Sequence, residues 1–105
     1  MSFSDNLKQL PSVTHLSALR LLDPTGAVVA TIENKPGQAG SLAVYAALAD
    51  RHGAIDAAAA QEGLDLYAEH TADARAFPGK HPNIDRLLDV IASGRALTVQ
   101  CQAAV

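Results

Sequence analysis

The stretch that decides the fold is residues 16–41, LSALRLLDPTGAVVATIENKPGQAGS. Its two apolar runs, 16–22 and 27–32, are joined by Asp-Pro-Thr-Gly at 23–26. Aspartate at the first turn position, proline at the second and a glycine that can take positive φ at the fourth predict a β-hairpin. The strand pattern then breaks in a glycine-containing loop at 33–41, and the serine that ends this loop is predicted to begin a helix.

The rest of the chain carries the signals of helices. A short opening helix is predicted over 4–10, with Ser4 as its N-cap and Pro11 after it. Gly63 and Pro82 indicate a helix end and a helix first turn. Apolar residues at helical spacing, together with the glycines that follow them, predict four helices beyond the loop, over 41–52, 55–62, 64–76 and 82–93.

After Gly94 the apolar period changes from helical to two, which indicates a strand. Leu97, Val99 and Cys101 alternate with polar residues over 96–102. We expect these three side chains to face the helices and the polar ones to face solvent. On this interpretation Cys101 is a small core residue rather than a nucleophile.

The order helix, strand, strand, several helices, strand predicts the α+β class. The expected sheet is small and mostly antiparallel, formed by the hairpin at 16–33 and the C-terminal strand at 96–102, and several helices pack against one side of it. The chain has 105 residues, of which 49% are apolar and 18% charged, as in an ordinary globular domain. We therefore expect one domain over 1–105.

The net charge and the cysteine content indicate which classes of partner and which cell compartment to expect. A formal net charge of −3 and a pI near 5.7 argue against nucleic acid and membrane surfaces, because both bind clustered lysine and arginine. Cys101 is the only cysteine, so the sequence offers neither an internal disulfide nor a zinc-ligand spacing. The N-terminus shows no apolar signal segment. We expect a cytoplasmic protein without a cofactor.

Four strings resemble a family of short bacterial proteins of uncharacterised function, a domain of unknown function. They are IENKPG at 32–37, GSLAVY at 40–45, AEHTADA at 68–74 and GKHPNID at 79–85. The resemblance covers nearly the whole chain. It implies a bacterial origin and a single domain, and it implies no activity, ligand or catalytic residue.

The loop at 33–41 is the first candidate site. It contains five candidate ligand-binding residues, Asn34, Lys35, Gly37, Gly40 and Ser41. Unpaired N–H groups at a helix N-terminus, with a lysine nearby, suit a small anion bound weakly. The spacing differs from the phosphate-binding motif Gly-x4-Gly-Lys-Ser/Thr. The alternative is a plain strand-to-helix connector, in which the serine only caps its helix.

An acidic stripe is the second candidate. Asp65, Glu69 and Asp73 recur every fourth residue and would share one face of a continuous helix. This face can be fully solvated, can pair with basic residues of this chain or of a partner protein, or can hold a hard cation such as Mg²⁺. Between the last two we favour electrostatic pairing over metal binding, because the nearest histidine lies off the stripe.

The segment 70–85 is the third candidate, because it contains residue types used in general acid and base chemistry. Among them are His70 and His81, with carboxylates close by in sequence. An enzyme that uses these groups, with or without a divalent metal, is one alternative. The sequence contains no Gly-x-Ser-x-Gly nucleophile elbow.

We favour a small binding or interaction domain over the enzyme. A homodimer, formed through a sheet edge or an apolar helix face, is a further alternative. The shape of the surface distinguishes the two main alternatives. If both histidines and the 33–41 loop converge on one concavity, the enzyme gains weight; if they spread over a convex surface, it loses weight.

Overall fold

The computed structural model of the chain describes residues 2–104. Within that range it has five helices and three strands, which confirms the α+β class. In chain order these are α1 (Phe3–Leu7), β1 (Leu16–Leu22), β2 (Val28–Glu33), α2 (Ala39–His52), α3 (Ala57–Tyr67), α4 (Glu69–Ala76), α5 (Pro82–Ser93) and β3 (Thr98–Ala103). None of the helices in this range has the length and apolar character that crossing a membrane requires.

The sheet has the strand order β2-β1-β3, and both neighbouring pairs are antiparallel. The turn between β1 and β2 is built around Asp23, whose carboxylate accepts hydrogen bonds from the N–H groups of Thr25 at 2.9 Å and Ala27 at 3.1 Å. Gly26 takes a φ of 90°, which suits a residue without a side chain. The predicted hairpin is therefore confirmed.

One face of the sheet belongs to the core and the other is exposed to solvent. Leu19 on β1 and Ile32 on β2 are paired in register, and both are buried. On the opposite face, Arg20 of β1 lies between Thr31 of β2 and Gln100 of β3, and all three are exposed. The helices thus cover the sheet on one side only, as the sequence predicts.

In the C-terminal strand the predicted side chains face the helices, but they are less buried than predicted. Leu97 is buried and Val99 is half-buried, whereas Thr98 and Gln100 are exposed. The prediction that Cys101 is a core residue is wrong, because its side chain is exposed. It lies on an edge strand and lines a groove whose opposite wall is α2. The short alanine side chains on that wall of α2 leave the groove open.

Gly63 does not end a helix, contrary to the prediction from its residue type. Helix α3 runs through it. A Cβ at this position would lie 2.7 Å from Leu87 Cδ1 and 2.9 Å from Leu48 Cδ1, which is closer than carbon atoms pack. The glycine therefore lets α3 approach α2 and α5 closely. We refer to Gly63, Leu48 and Leu87 as the helix crossing.

The break comes five residues later, at Ala68, which has a φ of 51° and a ψ of −116°. This conformation ends α3 and begins α4 in a new direction. The Thr71 hydroxyl donates a hydrogen bond of 2.6 Å to the carbonyl of Leu64, so a carbonyl left unpaired near the end of α3 is satisfied. The single helix predicted over 64–76 is therefore wrong.

Two helix starts lie two residues earlier than predicted. Helix α1 is capped by Ser2, not Ser4, because the Ser2 hydroxyl and the Asp5 carboxylate each accept the other's backbone N–H in a capping box. Helix α2 begins at Ala39, with Gln38 as its N-cap, so Ser41 lies inside the first turn and does not cap it.

Candidate ligand-binding site

A polar cavity of about 260 Å³ lies where the start of α2, helix α4 and the loop before α5 meet. Six of the residues around it carry its chemistry: Gly37, Ser41, Tyr67, His70, Lys80 and His81. They come from three segments that are distant in sequence. We refer to this site as the polar cavity.

His81 forms one side of the polar cavity and is fixed by Asp73 of α4. The His81 Nε2 atom lies 2.7 Å from Asp73 Oδ2, and Lys80 Nζ lies 2.9 Å from the same oxygen. The hydrogen bond with His81, followed by that with Lys80, holds the pKa of the Asp73 carboxyl below its usual value. Because an ionised carboxylate only accepts hydrogen bonds, His81 Nε2 carries a proton.

His70 faces the polar cavity without a fixed partner. Its ring centroid lies 5.7 Å from that of His81 and 5.1 Å from that of Phe3. Within residues 2–104, no hydrogen bond engages either ring nitrogen of His70, and no buried side-chain nitrogen or oxygen lacks a partner. The imidazole nitrogens therefore keep some access to solvent, and because His70 lines the cavity, they can donate to or accept from a ligand there.

Tyr67 supports the floor of the cavity. Its hydroxyl donates a hydrogen bond of 2.7 Å to Ser41 Oγ, and its ring stacks on Phe3 with centroids 5.1 Å apart. Burial raises the pKa of the Tyr67 hydroxyl well above its usual value, so this group remains a donor at neutral pH. Because Ser41 Oγ accepts the hydrogen bond from Tyr67, the serine hydroxyl remains free to donate its own hydrogen to another acceptor.

The first turn of α2 adds backbone donors. The Ala39 N–H is bonded to the Lys35 carbonyl at 3.0 Å, and the Leu42 N–H to the Gln38 carbonyl at 3.0 Å. Between them, the N–H groups of Gly40 and Ser41 have no acceptor among residues 2–104. Such unpaired donors at a helix N-terminus carry partial positive charge.

The candidate residues of the 33–41 loop separate into two groups. Gly37 and Ser41 line the polar cavity. Asn34 instead donates through Nδ2 to the carbonyls of Val13 at 3.0 Å and Leu16 at 2.8 Å, so it holds the loop in place.

The other two loop residues also lie outside the cavity lining. Lys35 Nζ pairs with Glu33 at 3.1 Å on the surface. Gly40 packs under α1, where a Cβ would lie 3.3 Å from Leu7 Cδ1 and 3.4 Å from Phe3 Cζ.

The acidic stripe does not exist as one face, because the break at Ala68 separates Asp65 from Glu69 and Asp73. Each carboxylate has a different contact. Asp65 Oδ1 accepts from Gln61 Nε2 at 3.3 Å, and Glu69 Oε1 accepts from the Phe3 N–H at 2.7 Å, which lowers the pKa of Glu69.

Of the three carboxylates, Asp73 has basic partners in the described structure, namely Lys80 and His81. Electrostatic pairing within the chain therefore applies to Asp73. Throughout residues 2–104, no group of three or more His, Cys, Asp or Glu side chains is arranged to hold a metal ion.

Sequence reasoning missed the aromatic part of the site. Phe3 and Tyr67 are 64 positions apart, and their stacking depends on α1 packing across α3. Neither residue stands in a recognisable motif. The one local signal is position, since Tyr67 directly precedes the string AEHTADA that contains His70.

The fold and the cavity define a small α+β protein with a polar pocket assembled from three segments. The chain belongs to the family described as "uncharacterized protein conserved in bacteria (DUF2322)", whose model matches residues 3–101. It has no match among curated proteins and none among solved structures. The family assigns no activity, so it gives no support to an enzyme that uses His70 and His81, although both histidines share one concavity with Gly37 and Ser41, the arrangement that this alternative expects.

Proposed function

We propose that the protein binds a small anion in the polar cavity. The observation that carries this proposal is the convergence of Gly37 and Ser41, at the start of α2, with His70, Lys80 and His81 on one concavity. These residues supply an ammonium group, two imidazoles and a hydroxyl. Together with the free N–H group of Ser41, at the start of α2, they form a set of donors that favours negative charge.

The size of the polar cavity limits the ligand. Pockets for drug-sized ligands usually hold about 300–1,000 Å³. At about 260 Å³, this cavity suits an inorganic oxyanion or a small organic acid better than a nucleotide.

Electrostatics limit the affinity. Asp73 already neutralises part of the positive charge that Lys80 and His81 bring to the site. The Lys80 side chain is 58% exposed, so its attraction for an anion is screened by salt. We therefore expect weak binding that is strongest at low ionic strength.

The test is a titration of the ¹⁵N-labelled protein with sodium sulfate and sodium phosphate at low ionic strength, followed by amide chemical shifts. We expect saturable shifts at Ser41, His70 and His81. Shifts that never saturate, or that spread evenly over the surface, would contradict the proposal.

Two lysines provide a matched pair of variants. Lys35 and Lys80 have side chains that are 54% and 58% exposed, and each pairs with a carboxylate, at 3.1 Å and 2.9 Å. Only Lys80 lines the polar cavity. Lys80→Ala should weaken sulfate binding several-fold, whereas Lys35→Ala should leave it unchanged. Equal effects of the two variants would indicate general charge attraction instead of a site.

A cytoplasmic location and a homodimer stay predictions from the sequence. The location is tested by fractionation of cells that produce the protein. The dimer is tested by sedimentation equilibrium of the purified chain.

A further inference from the structure

We infer that the anion binds together with a proton taken up by His70, so that the affinity of the polar cavity rises as the pH falls. This inference rests on the proposed function and adds its regulation by pH. It identifies His70 as the residue that senses the ligand's charge.

The two histidines of the cavity differ in their hydrogen bonds. His81 already directs Nε2 to Asp73, at 2.7 Å, and shares that carboxylate with Lys80. His70 has no hydrogen-bond partner within residues 2–104, and it lines the same cavity. A ligand oxygen can therefore take the contact that His70 lacks.

The charged and titratable groups around His70 are nearly all engaged elsewhere. On α4 itself, Glu69 accepts from the Phe3 N–H, and on α1 Asp5 accepts from the Ser2 N–H. On α3, the Tyr67 hydroxyl bonds to Ser41. Asp73, also on α4, pairs with Lys80 and His81 of the loop before α5, and Asp85 on α5 accepts from the Gly79 N–H.

An anion in the cavity favours the charged form of an imidazole beside it. By thermodynamic reciprocity, a proton on His70 strengthens anion binding by the same factor. Each pH unit by which the anion displaces the His70 titration corresponds to about a tenfold change in affinity. Histidine is the side chain whose ordinary titration lies between about pH 5 and 8, so the measurements are made in that range.

Sulfate is the probe, because it remains a dianion throughout this pH range. Its dissociation constant is measured by amide shifts at pH 5.5, 6.5 and 7.5 and constant ionic strength. We expect binding several-fold tighter at the lowest pH than at the highest, because about one unit of displacement gives the full tenfold change only at pH values well outside both titrations. In the same samples, the titration of the His70 ring protons should move to higher pH when sulfate is present.

Histidine variants identify the group that takes up the proton. His70→Gln keeps a polar side chain without a titration, so residual binding should become independent of pH. His52→Gln is the matched control, because His52 pairs with Glu62 at 2.9 Å and does not line the cavity. It should keep the full pH dependence.

The possible outcomes separate this inference from the proposed function. Wild-type binding that is saturable but equal at all three pH values overturns the inference and leaves the anion site intact. A slope that survives in His70→Gln and disappears in His81→Gln also overturns it. Absence of binding at every pH refutes the anion site itself. The ring-proton titration of the wild-type protein decides the matter if His70→Gln does not fold.

Discussion

The helix crossing and the polar cavity are built in opposite ways, although α3 contributes to both. At the crossing, Gly63, Leu48 and Leu87 meet without a polar group, and Leu48 and Leu87 are completely buried. At the cavity, His81, Asp73 and Lys80 meet through charged hydrogen bonds, and each side chain keeps contact with solvent. Close apolar packing therefore holds the first region together, and electrostatic pairing holds the second.

The largest expected effect is at the helix crossing. Leu87→Ala removes a fully buried side chain from between α3 and α5 and should lower the free energy of unfolding by about 2–5 kcal/mol. Denaturation with urea, followed by circular dichroism, measures it. A loss below about 1 kcal/mol would mean that the crossing does not carry the stability assigned to it.

At the same crossing, a second substitution should compensate for part of the cost of Leu87→Ala. Gly63→Ala alone should destabilise by roughly 1 kcal/mol, because the cost of overpacking, about 1–3 kcal/mol, exceeds the gain in helix propensity, about 1 kcal/mol. In the Leu87→Ala background the new methyl group enters space that the leucine has left, so the same substitution should become neutral or stabilising. A double-mutant cycle measures the coupling. Strict additivity would show that the two side chains do not compete for one volume.

A smaller effect is expected where the two regions join. Tyr67→Phe removes the hydrogen bond of 2.7 Å to Ser41 and should cost about 0.5–1.5 kcal/mol. Thermal and urea unfolding would both report it. A variant as stable as the wild type would show that the aromatic ring supports this side of the cavity without the hydroxyl.

The charged contacts should show their contribution through pH. The pKa of Asp73 is lowered from 3.8, first by the bond with His81. Its pairing therefore stabilises the folded state above pH 3.8, and this contribution is lost as the pH falls through the lowered value. Asp73→Asn should be less stable than the wild type at neutral pH, and the difference should shrink in acid.

Glu62 offers the comparison on the far side of α3. Its pKa is lowered from 4.5, first by the bond with His52. Glu62→Gln should behave in the same way, with its difference from the wild type shrinking as the pH falls below 4.5. Urea unfolding across acid pH measures both variants. A difference that stays constant with pH would mean that the pairing does not depend on charge.

The smallest effect is expected at Cys101. Its exposed thiol should react with a disulfide reagent in the native protein, without denaturant. Cys101→Ser should change the free energy of unfolding by less than about 0.5 kcal/mol, as for other surface substitutions. A protected thiol would indicate that something covers the groove between α2 and β3.

Sequence reasoning succeeded where the signal is local. The turn at 23–26, the alternation at 97–102 and the proline at the start of α5 each depend on a few neighbouring residues, and the hairpin, the register of β3 and α5 are found where they predict. It failed where tertiary packing decides. Gly63 has the residue type of a helix stop, yet Leu48 and Leu87 give it a different role.

The candidate site was predictable only in part. The sequence identifies the histidines and the loop as candidates. It does not show that Gly37 and His81 share one cavity, because that depends on how α2, α4 and α5 are placed. Ala68 gives no local warning either, because alanine is the residue most favourable to a helix interior. Such a residue breaks a helix only when the surrounding contacts require it.

The conformation of Ala68 has a consequence for how the molecule maintains its site. A non-glycine residue in a sparsely populated backbone region stores about 1–3 kcal/mol of strain. Relaxation at this joint would let α3 and α4 merge into one rod, in which Asp65, Glu69 and Asp73 would form the acidic stripe that the sequence suggests. The contacts around Ala68 therefore outweigh its strain, and they keep α3 and α4 as two separate helices beside the polar cavity.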